Sequence, residues 1–140
     1  MNRDLHDIDR LCTALGDQTR LRILGLLLTG EVCVCHIHET LRIPQSKASR
    51  HLGYLRRAGL VETRKAGLWV YYRLARPREG VSRQLLDAAC TCLGQLATTA
   101  IDLTRLAKRT GCCVTRPGAR RSVRDAPGPR LTAGTRPGNP

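Results

Sequence analysis

Apolar residues recur at helical spacing through most of the first sixty positions. Leu5, Ile8, Leu11 and Leu15 lie three or four apart and predict a short first helix. Asp17 is a good N-cap for a second helix, where Leu21, Leu24, Leu27 and Leu28 form one face until Gly30 stops it. Residues 32–41 predict a short third helix. Pro44 then forces a turn, because the residue before a proline is pushed out of the α region. A fourth helix follows, with Ala48, Leu52 and Leu55 inside and Gly59 as its stop. The period next changes to two. Leu60–Arg64 and Trp69–Leu74 read as strands around a Lys65-Ala66-Gly67 turn. On the second strand Val70, Tyr72 and Leu74 share one face and Trp69, Tyr71 and Arg73 the other. Last comes a long helix over 82–107. Its Leu86, Ala89, Leu93, Leu96, Ala100, Leu103 and Ala107 form a heptad seam. Such a seam predicts a homodimer, with the first helix joining the interface, unless it packs onto its own domain.

Composition adds a partner. Lys and Arg number 24 against 11 Asp and Glu, a formal net charge of +13, and 21 of the 24 are arginine. So basic a chain expects a polyanion, nucleic acid before an anionic membrane surface. Aromatic residues are only 3% and Phe is absent, so the core is aliphatic, which favours helices over a β-sandwich. With 140 residues the chain is too short for a two-domain cofactor enzyme. No run of eighteen apolar residues and no signal-peptide core occur, so a cytoplasmic protein without a membrane partner is expected. Periodicity ends near Arg109. The last 32 residues hold five of the seven prolines, seven arginines and one acid. The expected division is therefore a folded domain over 1–108 and a disordered basic tail over 109–140.

Helix, turn, polar helix and basic hairpin is the layout of a winged helix-turn-helix, here α-α-α-α-β-β-α. Gln45, Ser46, Lys47, Ser49, Arg50 and His51 crowd the start of the fourth helix, the part that reaches base edges in such folds. Arg64, Lys65 and Arg73 flank the hairpin turn and suit the DNA backbone or minor groove. Double-stranded operator DNA is the expected partner. No Gly-rich nucleotide loop and no Ser/His/Asp arrangement is present, so catalysis is not expected.

Seven cysteines in a reducing compartment read as ligands, redox groups or core fillers, not as a disulfide framework. Cys33 and Cys35 stand two apart in the predicted third helix. Residues so spaced point about 200° apart on a regular helix. Two thiolates could then chelate one small ion only by distorting the helix that braces the fourth, which is how a ligand would select a form that fits DNA poorly. His36 and His38 could complete a set of two sulfurs and two nitrogens for Zn(II) or Cd(II). The vicinal pair Cys112 and Cys113 could bring further sulfur from the tail of either subunit. Cys90 and Cys92 repeat the spacing off the seam and read as small, partly buried residues. A redox switch at Cys33 and Cys35 is a further alternative, though a disulfide there closes a strained ring.

Four segments in order carry a family resemblance: Asp17–Leu24, Glu31–Cys35, Gln45–Leu52 and Arg64–Leu74. Over roughly residues 5–106 the chain resembles the ArsR/SmtB-type metalloregulators. Its Cys33-Val34-Cys35 is similar to the arsenite-sensing branch. The resemblance implies a homodimeric repressor, with no obligatory cofactor, that leaves its operator when As(III) or Sb(III) binds Cys33 and Cys35. In that branch a third cysteine can follow the second by three residues, and here His38 holds the place.

Overall fold

Asp17 opens one helix with a side-chain cap, and glycines stand at the ends of others, as at Gly30 and Gly94. The computed structural model describes residues 3–78 and 80–109. The stretch expected to be a disordered tail, with Cys112 and Cys113, lies outside the described residues from 110 onward. The order is α1 (Arg3–Leu15), α2 (Gln18–Leu26) with a 3-10 turn (Leu27–Thr29), β1 (Val32–Cys33), α3 (Val34–Leu41), α4 (Gln45–Arg57), β2 (Val61–Ala66), β3 (Trp69–Leu74), α5 (Val81–Leu93) and α6 (Ala97–Ala107). Asp17 caps α2 as expected: it is extended, and its Oδ1 accepts the Arg20 backbone N–H at 3.0 Å. Leu11, Ile23, Leu24, Leu27, Ile37, Leu52, Leu55 and Leu60 gather in one core between the helices and the sheet. This is a winged helix-turn-helix.

Three expectations change. The third helix does not begin at residue 32. Val32 and Cys33 are extended and form β1, which pairs antiparallel with β3 through Val32↔Tyr72 and Cys33↔Tyr71. Strand β3 offers a free edge, and β-branched Val32 suits a buried strand. The wing is thus a three-stranded sheet in the order β1-β3-β2. Its turn is also tighter than expected. Strand β2 runs to Ala66, which faces Trp69, and Gly67 with a φ of 60° takes the first central position, as a type II′ connection requires. The strand faces alternate as read, yet Tyr71 on the outer face is fully buried, because Cys33, Val34, Cys35, Ala66 and Trp69 pack around it and the Arg64 guanidinium lies over its ring.

The long terminal helix is two helices. α5 ends at Leu93 and the chain turns through Gly94–Leu96, with Leu96 extended, before α6. Leu86 and Leu93 of the heptad seam are buried, whereas Leu96, Ala100 and Ala107 are exposed. α6 turns its polar side inward instead. Asp102, buried, receives two hydrogen bonds from the Arg22 guanidinium, at 2.9 and 2.8 Å. Beside them Gly25 lets Thr99 approach so closely that a Cβ at Gly25 would stand 3.1 Å from the Thr99 methyl. The two-donor fork onto a buried carboxylate fixes the orientation of α6 against α2.

Two outcomes follow for stability. Arg22→Ala leaves the buried Asp102 carboxylate only its longer 3.7 Å contact with Arg105 and is expected to cost at most about 3–5 kcal/mol in denaturant unfolding at fixed protein concentration. Asp17→Ala is expected to cost about 1 kcal/mol near neutral pH. The Arg20 backbone hydrogen bond holds the Asp17 carboxyl below its ordinary value of 3.8. Its contribution is therefore full above that ordinary value and lost as pH falls through the lowered one, so the two proteins should converge in acid.

Candidate functional site

The start of α4 is polar and exposed. Ala48, Leu52 and Leu55 anchor it, and Gln45, Ser46, Lys47, Ser49 and Arg50 are all exposed. Arg42, in the left-handed region at φ 58°, ends α3, and Pro44 caps α4, so a short turn joins the two helices. His38 ties that turn down: its Nδ1–H donates to the Ile43 carbonyl at 3.3 Å. His51 leans back on the domain, with Nδ1 3.9 Å from the Asp17 carboxylate and a side chain only 12% exposed. Burial lowers the His51 pKa against the opposing pull of Asp17, which favours the neutral ring at pH 7.

On the wing, Lys65 is exposed and Leu68 at the tip is 95% exposed. Arg73 forms a cross-strand pair with Glu62 at 3.0 Å, both about half-exposed. Arg64 is placed differently from what its position beside the turn suggests. Its guanidinium donates to both oxygens of Glu31, at 2.8 and 3.0 Å, and lies 4.5 Å from the centre of the Tyr71 ring. Both members of this pair are largely buried, and Glu31 holds Arg64 firmly protonated.

The thiol pair lies on the same sheet. Cys33 is extended at the end of β1 and caps α3, whereas Cys35 is in its first turn. The Cys35 thiol points to Cys33 Sγ at 3.1 Å. The two sulfurs therefore meet without any distortion of α3, contrary to the reasoning from a regular helix. That reasoning fails because Cys33 precedes the helix. Cys33 and Tyr71 are buried together, with Val34, Cys35, Ala66 and Trp69 packed around them. His36 is buried, and among the described residues no three His, Cys, Asp or Glu side chains gather as a metal cluster. The set of Cys33, Cys35, His36 and His38 is thus not assembled. Cys12 and Cys92 are exposed, and burial pushes the Cys90 thiol up, which disfavours its thiolate. Among the described residues no helix is long and apolar enough to cross a membrane.

Sequence reasoning gave no role to Glu31, Tyr71 or Trp69. Glu31 lies directly before the Val-Cys-Val-Cys run, but its partner is 33 residues away and nothing local announces it.

Comparison with known proteins agrees with this arrangement. A family description, "Bacterial regulatory protein, arsR family", matches residues 17–63. The arsenical resistance operon repressor of Escherichia coli (strain K12) is 43% identical over 84 residues, covering 59% of this chain and 72% of that protein. The structure of HlyU from Vibrio cholerae superposes with a TM-score of 0.57 at 32% identity, over 68% of this chain and all of that one. A homodimeric winged helix-turn-helix DNA-binding domain from Mycobacterium bovis, described as a possible ArsR-family regulator, gives 0.55 at 31% identity, over 66% of this chain and 83% of that one. With the polar, exposed start of α4, the hairpin wing and this breadth of likeness, the chain belongs to the arsR family of bacterial regulatory proteins.

Proposed function

We propose that this protein is a homodimeric repressor that holds operator DNA until a trivalent arsenic or antimony ion bridges Cys33 and Cys35. The observation that carries the reading is the 3.1 Å approach of the two sulfurs. Two thiolates on a tetrahedral ion at about 2.3 Å stand about 3.8 Å apart, whereas a pyramidal ion with near-right angles needs about 3.3 Å. Both spacings are a small side-chain rotation from the observed one, so the pair is within reach of a single ion. The donor chemistry agrees, since soft thiolates suit a thiophilic ion. In the step itself, two thiols condense with two hydroxyls of arsenous acid, releasing two waters and forming two As–S bonds. Cys112 or Cys113 is the proposed source of a third sulfur. The resemblance to the Escherichia coli arsenical repressor supports the same choice of ion.

On DNA, Gln45, Ser46, Lys47, Ser49 and Arg50 are the proposed base and phosphate contacts, with Lys65 and Arg73 on the backbone and His51 buttressing the helix. Arg64 is engaged by Glu31 and is not among them. Exposed Leu5, Leu96 and Ile101 supply apolar surface for the second copy. Zn(II) or Cd(II) would require His36 and His38 to leave their present places. Thiol oxidation is a second reading favoured by the same 3.1 Å approach, in which an oxidant takes two electrons and two protons leave.

Cys33→Ser should bind operator within about twofold of the native chain and no longer release it with arsenite, measured by anisotropy on labelled DNA. Loss of binding before any arsenite is added contradicts this role; release by a mild oxidant but not by arsenite selects the redox reading. Arg50→Ala should weaken specific binding by about 1–3 kcal/mol at fixed salt and leave non-specific DNA binding less affected. Equal affinity for operator in both proteins removes Arg50 from the reading face.

A further inference from the structure

The thiol pair is joined to the wing by a closed ring of side chains. Cys33 of β1 stands opposite Tyr71 of β3, and Tyr71 opposite Arg64 of β2. Residues directly opposite in antiparallel pairing share a face, so the three form one row across the sheet. Arg64 lies over the Tyr71 ring and then reaches Glu31, two residues before Cys33, with the Nε and Nη2 donors of one guanidinium edge. From Glu31 the backbone returns through Val32 to Cys33. The row is closely packed: Cys33 and Tyr71 are 1% and 0% exposed. Trp69 and Ala66, the pair that closes the hairpin, abut the same cluster.

An ion that bonds to both sulfurs resets their 3.1 Å spacing and adds its own bulk beside Cys33, whose side chain is buried with no open space around it. Packed interiors pass such displacement on instead of absorbing it. The Cys33 backbone is itself a rung of the sheet, so its displacement alters the β1–β3 pairing and bears on Tyr71. The bidentate Arg64–Glu31 clamp fixes β2 to the same point, so both wing strands move with it.

We propose that the Arg64–Glu31 clamp over Tyr71 is a coupling device that passes occupancy of the thiol pair to the wing, so that the sensor acts on DNA through the hairpin as well as through α4. Arg64 is a positioning residue here, and it touches neither the ion nor DNA. The inference rests on the reading that Cys33 and Cys35 bind a thiophilic ion.

The test uses the full chain with arsenite under a non-thiol reductant. Growth of ultraviolet sulfur–arsenic absorption reports binding, and amide hydrogen exchange over 61–74 reports the wing. The native protein should show both changes with one midpoint. Arg64→Lys keeps the charge but loses the fork and the ring contact, and Glu31→Gln keeps the shape but loses the ion pair. Each should bind arsenite with a midpoint within about threefold of native, yet need roughly tenfold more to release operator, with the exchange change over 61–74 reduced. Should Arg64→Lys fail to fold, Glu31→Gln carries the comparison. Binding and release that keep their native ratio in both variants, or a wing whose exchange ignores bound arsenite, overturn the coupling and leave the function reading standing. Absence of the absorption change overturns the function reading and the coupling together.

Discussion

The pairing of Val32 and Cys33 with the edge of β3 is the constraint on which the functional arrangement depends. It takes the first cysteine out of the helix and makes it a rung of the wing. That is why the sulfurs meet at 3.1 Å, since an extended residue followed by a helical turn brings i and i+2 side chains together where a regular helix would part them. It also buries Tyr71 on a face that a two-stranded wing would leave wet, and gives Arg64 a buried carboxylate to bind. The thiol pair, the wing and the start of α3 become one packed unit, and His38 joins the far end of α3 to the turn before α4.

A second constraint fixes the other side of the domain. The Arg22–Asp102 fork and the Gly25–Thr99 approach dock α6 on α2, eighty residues apart in sequence. At the end of α6, Arg109 pairs with Glu39 on α3 at 3.4 Å and donates to its carbonyl. Helix α4 is therefore carried by α2 and α3, and these are held in turn by the chain's own last helix. The exposed leucine and isoleucine left on α1 and α6 are consequently fewer than a continuous heptad seam would have supplied.

Most of the fold was legible because it rests on local signals. The period of apolar residues, the Asp17 cap, Pro44 and Gly67 placed α1, α2, α4 and the hairpin close to where they stand. The exposed polar start of α4 was legible for the same reason, being the residue of a helix whose inner face is set by Ala48, Leu52 and Leu55. What escaped was long-range. A two-residue strand has no period, so β1 read as helix. The seam over 82–107 was real as a pattern, yet the chain turns through Gly94–Leu96 and docks α6 through the Arg22–Asp102 fork, and no local feature marks Asp102 as an inward residue. Arg64 read as a DNA contact because it is basic and near a turn. In the structure Glu31 holds it, a partner that could be matched to it only in three dimensions.

The most direct test of the central claim is anisotropy of the full chain on its operator while arsenite, antimonite, cadmium, zinc and an oxidant are added in separate titrations. Release by arsenite or antimonite at concentrations where cadmium, zinc and the oxidant leave the complex intact is the result this account predicts. Release by cadmium, zinc or the oxidant alone, or a complex that survives every addition, would contradict it.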